Sequence, residues 1–588
     1  MKELVSKQLV KYLEKRGVEH IIGLCGHTNI AVLAELENSS IKFINTRHEQ
    51  IAAHMADGYA RVKKKASVVL SHIGPGLTNT ITGVATAALD SIPMVIIAGD
   101  APSYYYGKNA FQEVNLHSDA SQYEILRPIV KRAWRVEQAE LLPENIEKAF
   151  QLAESGSPGP VLVSVPMDLF SKEIDTKLFD KLHNHNRVLN KPTIDYETAV
   201  NIVKTLHAAE NPVIYVGGGI MIADCADELR EFVDLMGIPV TYSMMGKGAV
   251  SDDHPLNMGL TGYWGSEFTN SKTRNADYLL ALGTRFSEAD SSSWEEEYTF
   301  RIPPTKLIHI DIEPSEIGRN YPVELGVVAD LKEALKVLSK AAKEVIDQPR
   351  ENESIKLEIK ENKENFIKQN EPYTKADSFP MRPERILHEL REVLPRDAYV
   401  TTDVGWNKNG VAQRFPIYEA GHVLTPGGFA TMGFGSPAAL GVKIADPDKV
   451  VVSLVGDGGF GQNPAVLATA AEENIPVIWV IMNNSSYGVI AGLEKAHFDT
   501  TFGTIFYKDG EPYSPDFAAM ARSFGVEGIK IESAEQFKPA LEKAVALGKP
   551  CVIDVAMVNV PTPTAGHWNI LDIYSPGEKK GHVSVSLK

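Results

Sequence analysis

A chain of 588 residues is far too long for one hydrophobic core, and its apolar fraction of 44% is that of an ordinary globular protein, so about three domains are expected. The formal net charge of −17 excludes nucleic acid and anionic membrane as electrostatically attracted partners. Cys25, Cys225 and Cys551 form neither a disulfide framework nor a CxxC metal pattern, no leader opens the chain and no apolar run spans a bilayer, so a cytoplasmic location is expected.

Lys2 to Arg16 carries Leu4, Val5, Leu9, Val10 and Leu13 at helical spacing, which predicts an exposed amphipathic helix. Ile21 to Cys25 reads as a strand opening into Gly26-His27-Thr28-Asn29, and Ile30 to Leu36 resumes as helix. Polar residues at a strand's carboxyl end are where α/β proteins bind ligands. Phe43 to Thr46 is a second strand, followed by Arg47-His48-Glu49-Gln50 and a helix over Ile51 to Val62. Ser67 to Leu70 leads into Ser71-His72-Ile73-Gly74-Pro75-Gly76, a helix through Ala88 and a strand at Pro93 to Ala98. Such alternation predicts a doubly wound parallel sheet, closed by a buried strand ending at Pro166 and followed by a polar linker over Lys172 to Lys191.

The alternation restarts at Asn211 to Val216, which ends in Gly217-Gly218-Gly219, and continues with Leu229 to Met236 and Pro239 to Tyr242, predicting a second α/β domain. By itself a triple glycine after a strand is a weak nucleotide signal. Lys343 to Pro380 is charged, poor in β-branched residues and interrupted by Pro349 and Pro372, as a helical linker would be. Arg382 to Val393 then reads as helix and Tyr399 to Thr402 as strand, with Asp403-Val404-Gly405-Trp406-Asn407 at its carboxyl end. Pro426 to Gly435, PGGFATMGFG, is a glycine-rich loop.

The most informative stretch runs from Val450 to Gly488. Val450 to Val455 is β-branched without alternation, as in a strand buried on both faces, and stops at Gly456-Asp457-Gly458. Asn463 is placed to cap a helix with Pro464 at its first position, and Pro476 to Met482 forms the next strand, ending at Asn483-Asn484. Asp457 and Asn484 lie about 27 positions apart, the length of one strand-helix-strand crossover, so both fall at neighbouring strand ends. One carboxylate, one amide oxygen and a backbone carbonyl near Ser486 suit a magnesium ion that shares its remaining sites with a diphosphate. Either fragment alone reads equally well as a turn or a loop.

Together these segments resemble the thiamine diphosphate enzymes, and nearly the whole chain is similar to the acetolactate synthase and pyruvate oxidase group. The resemblance implies three doubly wound parallel-sheet α/β domains: a pyrimidine-binding domain at 1–175, a central FAD-binding domain at 190–345, a linker at 346–381, and a diphosphate- and Mg2+-binding domain with its tail at 382–588. It implies that Glu49 bonds the cofactor pyrimidine and that Gln112 lines the active site. His27 and His72 would face the reacting carbon, either shuttling protons or activating water, or else only satisfying local backbone. Gly26, Asn407, Ala430 and Met432 would contact thiamine diphosphate, with Met432 as the wedge that bends it. Gly456, Gly458, Ser486, Tyr487 and Gly488 would surround the diphosphate, and Asp457, Asn484 and Ser486 would ligate the metal. For FAD the matching positions include Gly217, Gly218, Gly219, Arg285, Asp311, Glu313 and Asp330.

What this implies for activity is a carboligase that decarboxylates a 2-oxo acid such as pyruvate and transfers the acyl unit to a second carbonyl. The alternative is a lyase or hydrolase cleaving an α-diketone, since the two histidines resemble those of cyclohexane-1,2-dione hydrolase. Departures at Ser287-Glu288-Ala289, Met167 and Leu493 bear on the flavin and on the acceptor. The resemblance further implies a homodimer or homotetramer with the active site between subunits. The tail from Pro561, with Pro563, Gly566, His567 and Trp568, is either a lid or a surface strap.

Overall fold

The computed structural model describes residues 1–118, 121–182 and 190–569. Among the described residues, three six-stranded sheets, each wholly parallel and flanked by helices, carry the fold, as the strand-helix alternation predicts, beside two short two-stranded pairs. In the first, the strands run Lys42–Asn45, His20–Gly23, Ser67–Ser71, Met94–Asp100, Pro160–Pro166 and Arg132–Arg135 across the sheet. In the second the order is Asn257–Leu260, Val240–Tyr242, Val213–Val216, Tyr278–Leu282, Lys306–Asp311 and Leu325–Val328. In the third it is Val423–Leu424, Tyr399–Thr402, Val451–Gly456, Ile478–Asn483, Cys551–Ala556 and Glu527–Ile531. The first and third sheets start one strand in from an edge, add that edge strand and then cross to the other side, whereas the second starts at its third position, adds two strands outward and then crosses. The strand order therefore reverses beside the first strand, and the loops there leave a crevice at the carboxyl ends.

Continuous apolar runs become strands here because helices cover both faces. Met94–Asp100 and Pro160–Pro166 are buried at every position, so neither alternates. The first and third sheets share one hydrophobic core: Met55, Ala56 and Tyr59 of the helix Glu49–Lys63 pack with Leu440, Val442 and Trp479. That helix crosses Gly435–Ala445 backbone against backbone, since a side chain at Gly58 would run into the Ala438 carbonyl and one at Gly441 into that of Met55. The middle sheet keeps separate cores, built from residues such as Ile214, Leu280 and Phe232 on one side and Tyr215, Phe286 and Phe300 on the other.

Several local expectations are corrected. Lys2–Leu4 is a strand, antiparallel to Glu173–Asp175, and the helix begins only at Val5; the supposed linker after Lys172 thus supplies a strand partner. Residues 183–189 of that linker lie outside the described residues. The helix expected through Ala88 is two pieces, Pro75–Thr78 and Ile81–Leu89. Pro372 does not interrupt the later linker but lies inside the helix Glu353–Thr374. Of the tail, the part up to Asn569 straps both the last and the middle domain: the Gln413 side chain of the last bonds the Pro563 carbonyl, while in the middle domain Gly566 N donates to Tyr263 O and His567 stacks on Tyr298 at 4.8 Å. All three cysteines are unpaired, and among the described residues no helix is long and apolar enough to cross a membrane.

Candidate active site

At the crevice of the first sheet, Glu49 is the first residue of its helix, where the dipole favours a carboxylate. It is 6% exposed, and Asn79 Nδ2 donates to its Oε2 at 2.9 Å, which fixes the carboxyl group and leaves Oε1 toward Gly76. Beside it stands a second cluster. Thr28 Oγ1 accepts from Ile73 N (3.2 Å), so its own proton is available to His72 Nδ1 at 3.1 Å. In that network His72 carries its hydrogen on Nε2 and donates to Gln112 Oε1 at 2.9 Å. Gln112 is held in a left-handed conformation at φ 63°. The half-buried His27 ring lies edge-on to His72, 4.8 Å between centroids, and burial followed by the neighbouring His72 lowers its pKa. Gly26 N bonds Asn29 Oδ1, closing the same turn. Glu49, His72, His27, Gln112 and Gly26 are thus gathered at one sheet's carboxyl edge.

The third sheet presents the other half. Asp457 follows the strand Val451–Gly456, and Asn484 follows the adjacent Ile478–Asn483, as their spacing predicts. The Asn484 amide oxygen, as placed, lies 3.1 Å from Asp457 Oδ1 and 2.9 Å from the Ser486 carbonyl. Three oxygens facing one another need either a cation or an exchanged amide orientation, in which the nitrogen donates to both. Burial raises the Asp457 pKa, and the hydrogen bond from Ser514 Oγ (3.0 Å) opposes the shift. This donor set fits magnesium. No cluster of three or more His, Cys, Asp or Glu suited to a metal exists among the described residues.

Next to these oxygens is open space. A side chain at Gly456 would meet only Asn407 Nδ2, at 3.8 Å, and one at Gly405 only Val489 Cγ2, at 3.8 Å, so a diphosphate has room against the backbone. Met432 Cε and the Tyr487 ring both approach Gly458, and Ala430 takes a left-handed φ of 47°. Gly488 opens a helix whose start lies against Asn484 and Asn559, and Asn559 donates to Ser486 Oγ. Asn407 Nδ2 donates one hydrogen to the Val404 carbonyl at 3.0 Å, and its buried Oδ1 has no protein partner. Asn463 is no helix cap, its amide being drawn to the Gly433 carbonyl at 2.9 Å.

Asp403 was visible in the sequence only as part of a turn, yet its carboxylate organises the glycine-rich loop. It accepts from Val404 N (3.0 Å), Gly433 N (3.1 and 2.9 Å) and Gly435 N (3.0 Å). Complete burial pushes its pKa up to about 6, those hydrogen bonds opposing the shift. The folded protein then holds this proton more tightly than the unfolded chain, so the stability it contributes is full below about pH 4 and is lost as pH rises through about 6. Asp403→Asn should lack that loss. In denaturant titrations of the cofactor-free protein, wild type should decline relative to the variant by roughly 3 kcal/mol over this window, and parallel curves would contradict the shift.

In the middle domain, Gly217 N and Gly219 N donate to the Leu282 and Gly283 carbonyls at 2.9 and 3.1 Å, packing one loop on the other. Asp311 accepts from Glu313 N at 2.9 Å, and burial pushes it up to about 6. Arg285 instead bonds the Leu89 carbonyl and Ser91 Oγ (2.6 Å), and Asp330 caps the helix Leu331–Val345 while pairing with Lys191 at 2.8 Å. The donor set fits a dinucleotide in part.

Three parallel sheets, a buried glutamate at the carboxyl edge of the first and converging oxygens beside open glycines on the third define a class of cofactor enzyme. Family models for the thiamine pyrophosphate enzymes match it in three pieces: the N-terminal TPP binding domain over residues 4–121, the central domain over 200–338 and the C-terminal TPP binding domain over 403–555. The chain is 34% identical to a probable acetolactate synthase large subunit of Methanococcus aeolicus, covering 98% of this chain and 96% of the relative. It is 34% identical to the acetolactate synthase large subunit of Haemophilus influenzae, covering 93% of each, and 33% identical to the isozyme 3 large subunit of Escherichia coli, covering 92% of each. The chain belongs to the acetolactate synthase-like group of thiamine pyrophosphate enzymes, and is a cofactor-dependent carboligase of the transferase kind.

Proposed function

We propose that this carboligase uses magnesium and decarboxylates a 2-oxo acid such as pyruvate, passing the acyl unit to a second carbonyl compound. The observation that carries the metal and cofactor assignment is the convergence of Asp457, Asn484 and Ser486 oxygens beside the open glycines. Thiamine diphosphate, when bound, supplies the electron sink for decarboxylation. The chain's own residues do the rest. Asp457, Asn484 and the Ser486 carbonyl would hold the metal, and the Glu49 carboxyl, fixed by Asn79, would hold a proton toward a pyrimidine nitrogen. Met432 and Tyr487 form the apolar wall beside Gly458. His27, His72 and Gln112 line the acceptor side, with the His72 Nε2 proton directed to Gln112.

Glu49 and Asp457 lie on different sheets, and their groups share no hydrogen bond among the described residues. A site shared between two copies, in a homodimer or homotetramer, rests on the resemblance. FAD in the middle domain rests on the resemblance together with Gly217 to Gly219, Asp311 and Glu313, and no step of the reaction is assigned to it. The unpaired cysteines suit a cytoplasmic location.

A second reading, cleavage of an α-diketone, is favoured by one observation: the His27–His72–Gln112 cluster, which could position and deprotonate water. Incubation with magnesium, thiamine diphosphate and either pyruvate or cyclohexane-1,2-dione, followed by NMR, separates the two. Acetolactate from pyruvate is expected. Ring-opened acid from the dione with pyruvate untouched would establish the hydrolase instead.

A further inference from the structure

The glycine-rich loop Pro426 to Gly435 belongs to the third sheet's domain, but its entrance is gripped by the first. Asp90, one residue past the helix Ile81–Leu89, accepts from Gly427 N at 2.9 Å and from Gly428 N at 3.2 Å. Its side chain is 2% exposed, although Gly428 and its neighbours Phe429 and Ala430 stand exposed. A side chain at Gly427 would collide with Asp90 Oδ1, so glycine is needed for the carboxylate to reach the backbone. Arg61 holds that carboxylate from behind, with Nη2 2.7 Å from Asp90 Oδ2 and Nε 2.5 Å from Asp57 Oδ1. Lys408 completes the grip by donating to the Pro426 carbonyl at 2.5 Å and the Gly427 carbonyl at 3.3 Å. The loop is thus tied at both ends by buried carboxylates, Asp90 at its start and Asp403 at its finish, and Ala430 and Met432 hang between them.

We propose that Asp90 is a positioning residue for cofactor binding: it holds the loop in its receiving shape before thiamine diphosphate arrives, so the first domain of a chain sets how tightly its own third domain retains the cofactor. The inference rests on the reading of Pro426 to Gly435 as the cofactor loop. Hydrogen bonds to an ionised carboxylate are stronger than neutral ones, and a segment ordered in advance loses less freedom on binding. An amide in place of the carboxylate presents an N–H toward one of the two loop N–H groups, so one anchor becomes a repulsion.

The test compares Asp90→Asn with Asp57→Asn in the full-length chain. Both strip Arg61 of one carboxylate partner, but only the first releases Gly427 and Gly428. Two quantities are measured on the cofactor-free protein: the dissociation constant of thiamine diphosphate with magnesium by titration calorimetry, and hydrogen exchange of the backbone amides from 425 to 436. Asp90→Asn should raise the dissociation constant roughly ten- to hundredfold and speed exchange across the loop, while Asp57→Asn leaves both near wild type. If both variants shift these quantities equally, or if Asp90→Asn shifts neither, the anchor is overturned. Should Asp90→Asn not fold, Gly427→Ala decides: its methyl group is driven against Asp90 while Arg61 keeps both partners, and unchanged affinity and exchange would overturn the proposal. Met432→Ala separates the two levels, because wild-type affinity and turnover in that variant would remove the loop reading itself, whereas a normal Asp90→Asn beside an impaired Met432→Ala removes only the anchor.

Discussion

Glu49→Gln is expected to abolish turnover, by at least about 10² to 10⁴-fold, while leaving the fold and the unfolding midpoint close to wild type. Glutamine has the same shape, and its amide oxygen can still accept from Asn79 Nδ2, so the side chain stays in place at the helix start. What is lost is the acid: an amide has no carboxyl proton to share with a ring nitrogen. Cofactor affinity should change far less than the rate, since the diphosphate and metal contacts lie on another sheet. Full turnover in the variant, measured as product formed from pyruvate, would remove Glu49 from the mechanism. A large loss of stability would instead show that its main part is to anchor the helix.

Asp457→Ala should release the cofactor, weakening thiamine diphosphate binding in the presence of magnesium by at least about a hundredfold. The other two oxygens are an amide and a backbone carbonyl, so Asp457 brings the only negative charge among the three protein groups that converge there. Chelation of divalent metal from the wild-type protein should have the same effect on retention, and magnesium should restore it in wild type only. Retention that is indifferent to both chelator and substitution would make these three oxygens an ordinary turn.

The two site halves were legible in different degrees. Asp457 and Asn484 could be placed at adjacent strand ends because a parallel crossover has a narrow range of lengths, and the register Gly456 opposite Met482 confirms their adjacency. Glu49 could be placed at a helix start because the apolar spacing of its helix begins just after it. The partners that hold these groups were missed: Asn79 for Glu49, Thr28 for His72, Ser514 for Asp457. Each is a small polar residue in a loop or turn, of a kind found throughout the chain, and nothing local distinguishes the one that reaches the site. Arg285 and Asp330 illustrate the reverse, since polar residues at the expected positions are committed to Ser91 and to a helix cap.

Residue periodicity and β-branched runs specify strands, helices and the parallel class, because burial on both faces of a sheet imposes a pattern on every strand by itself. That much is written along the chain. Competition between partners is not. Lys2–Leu4 has helical spacing but pairs with Glu173–Asp175, and Asn463 could cap a helix but bonds Gly433. The carboxylate that ties the glycine-rich loop comes from 337 residues away. Hydrogen-bonding groups choose among acceptors brought within about 3 Å, and those acceptors exist only once the sheets have packed and water has been excluded from between them.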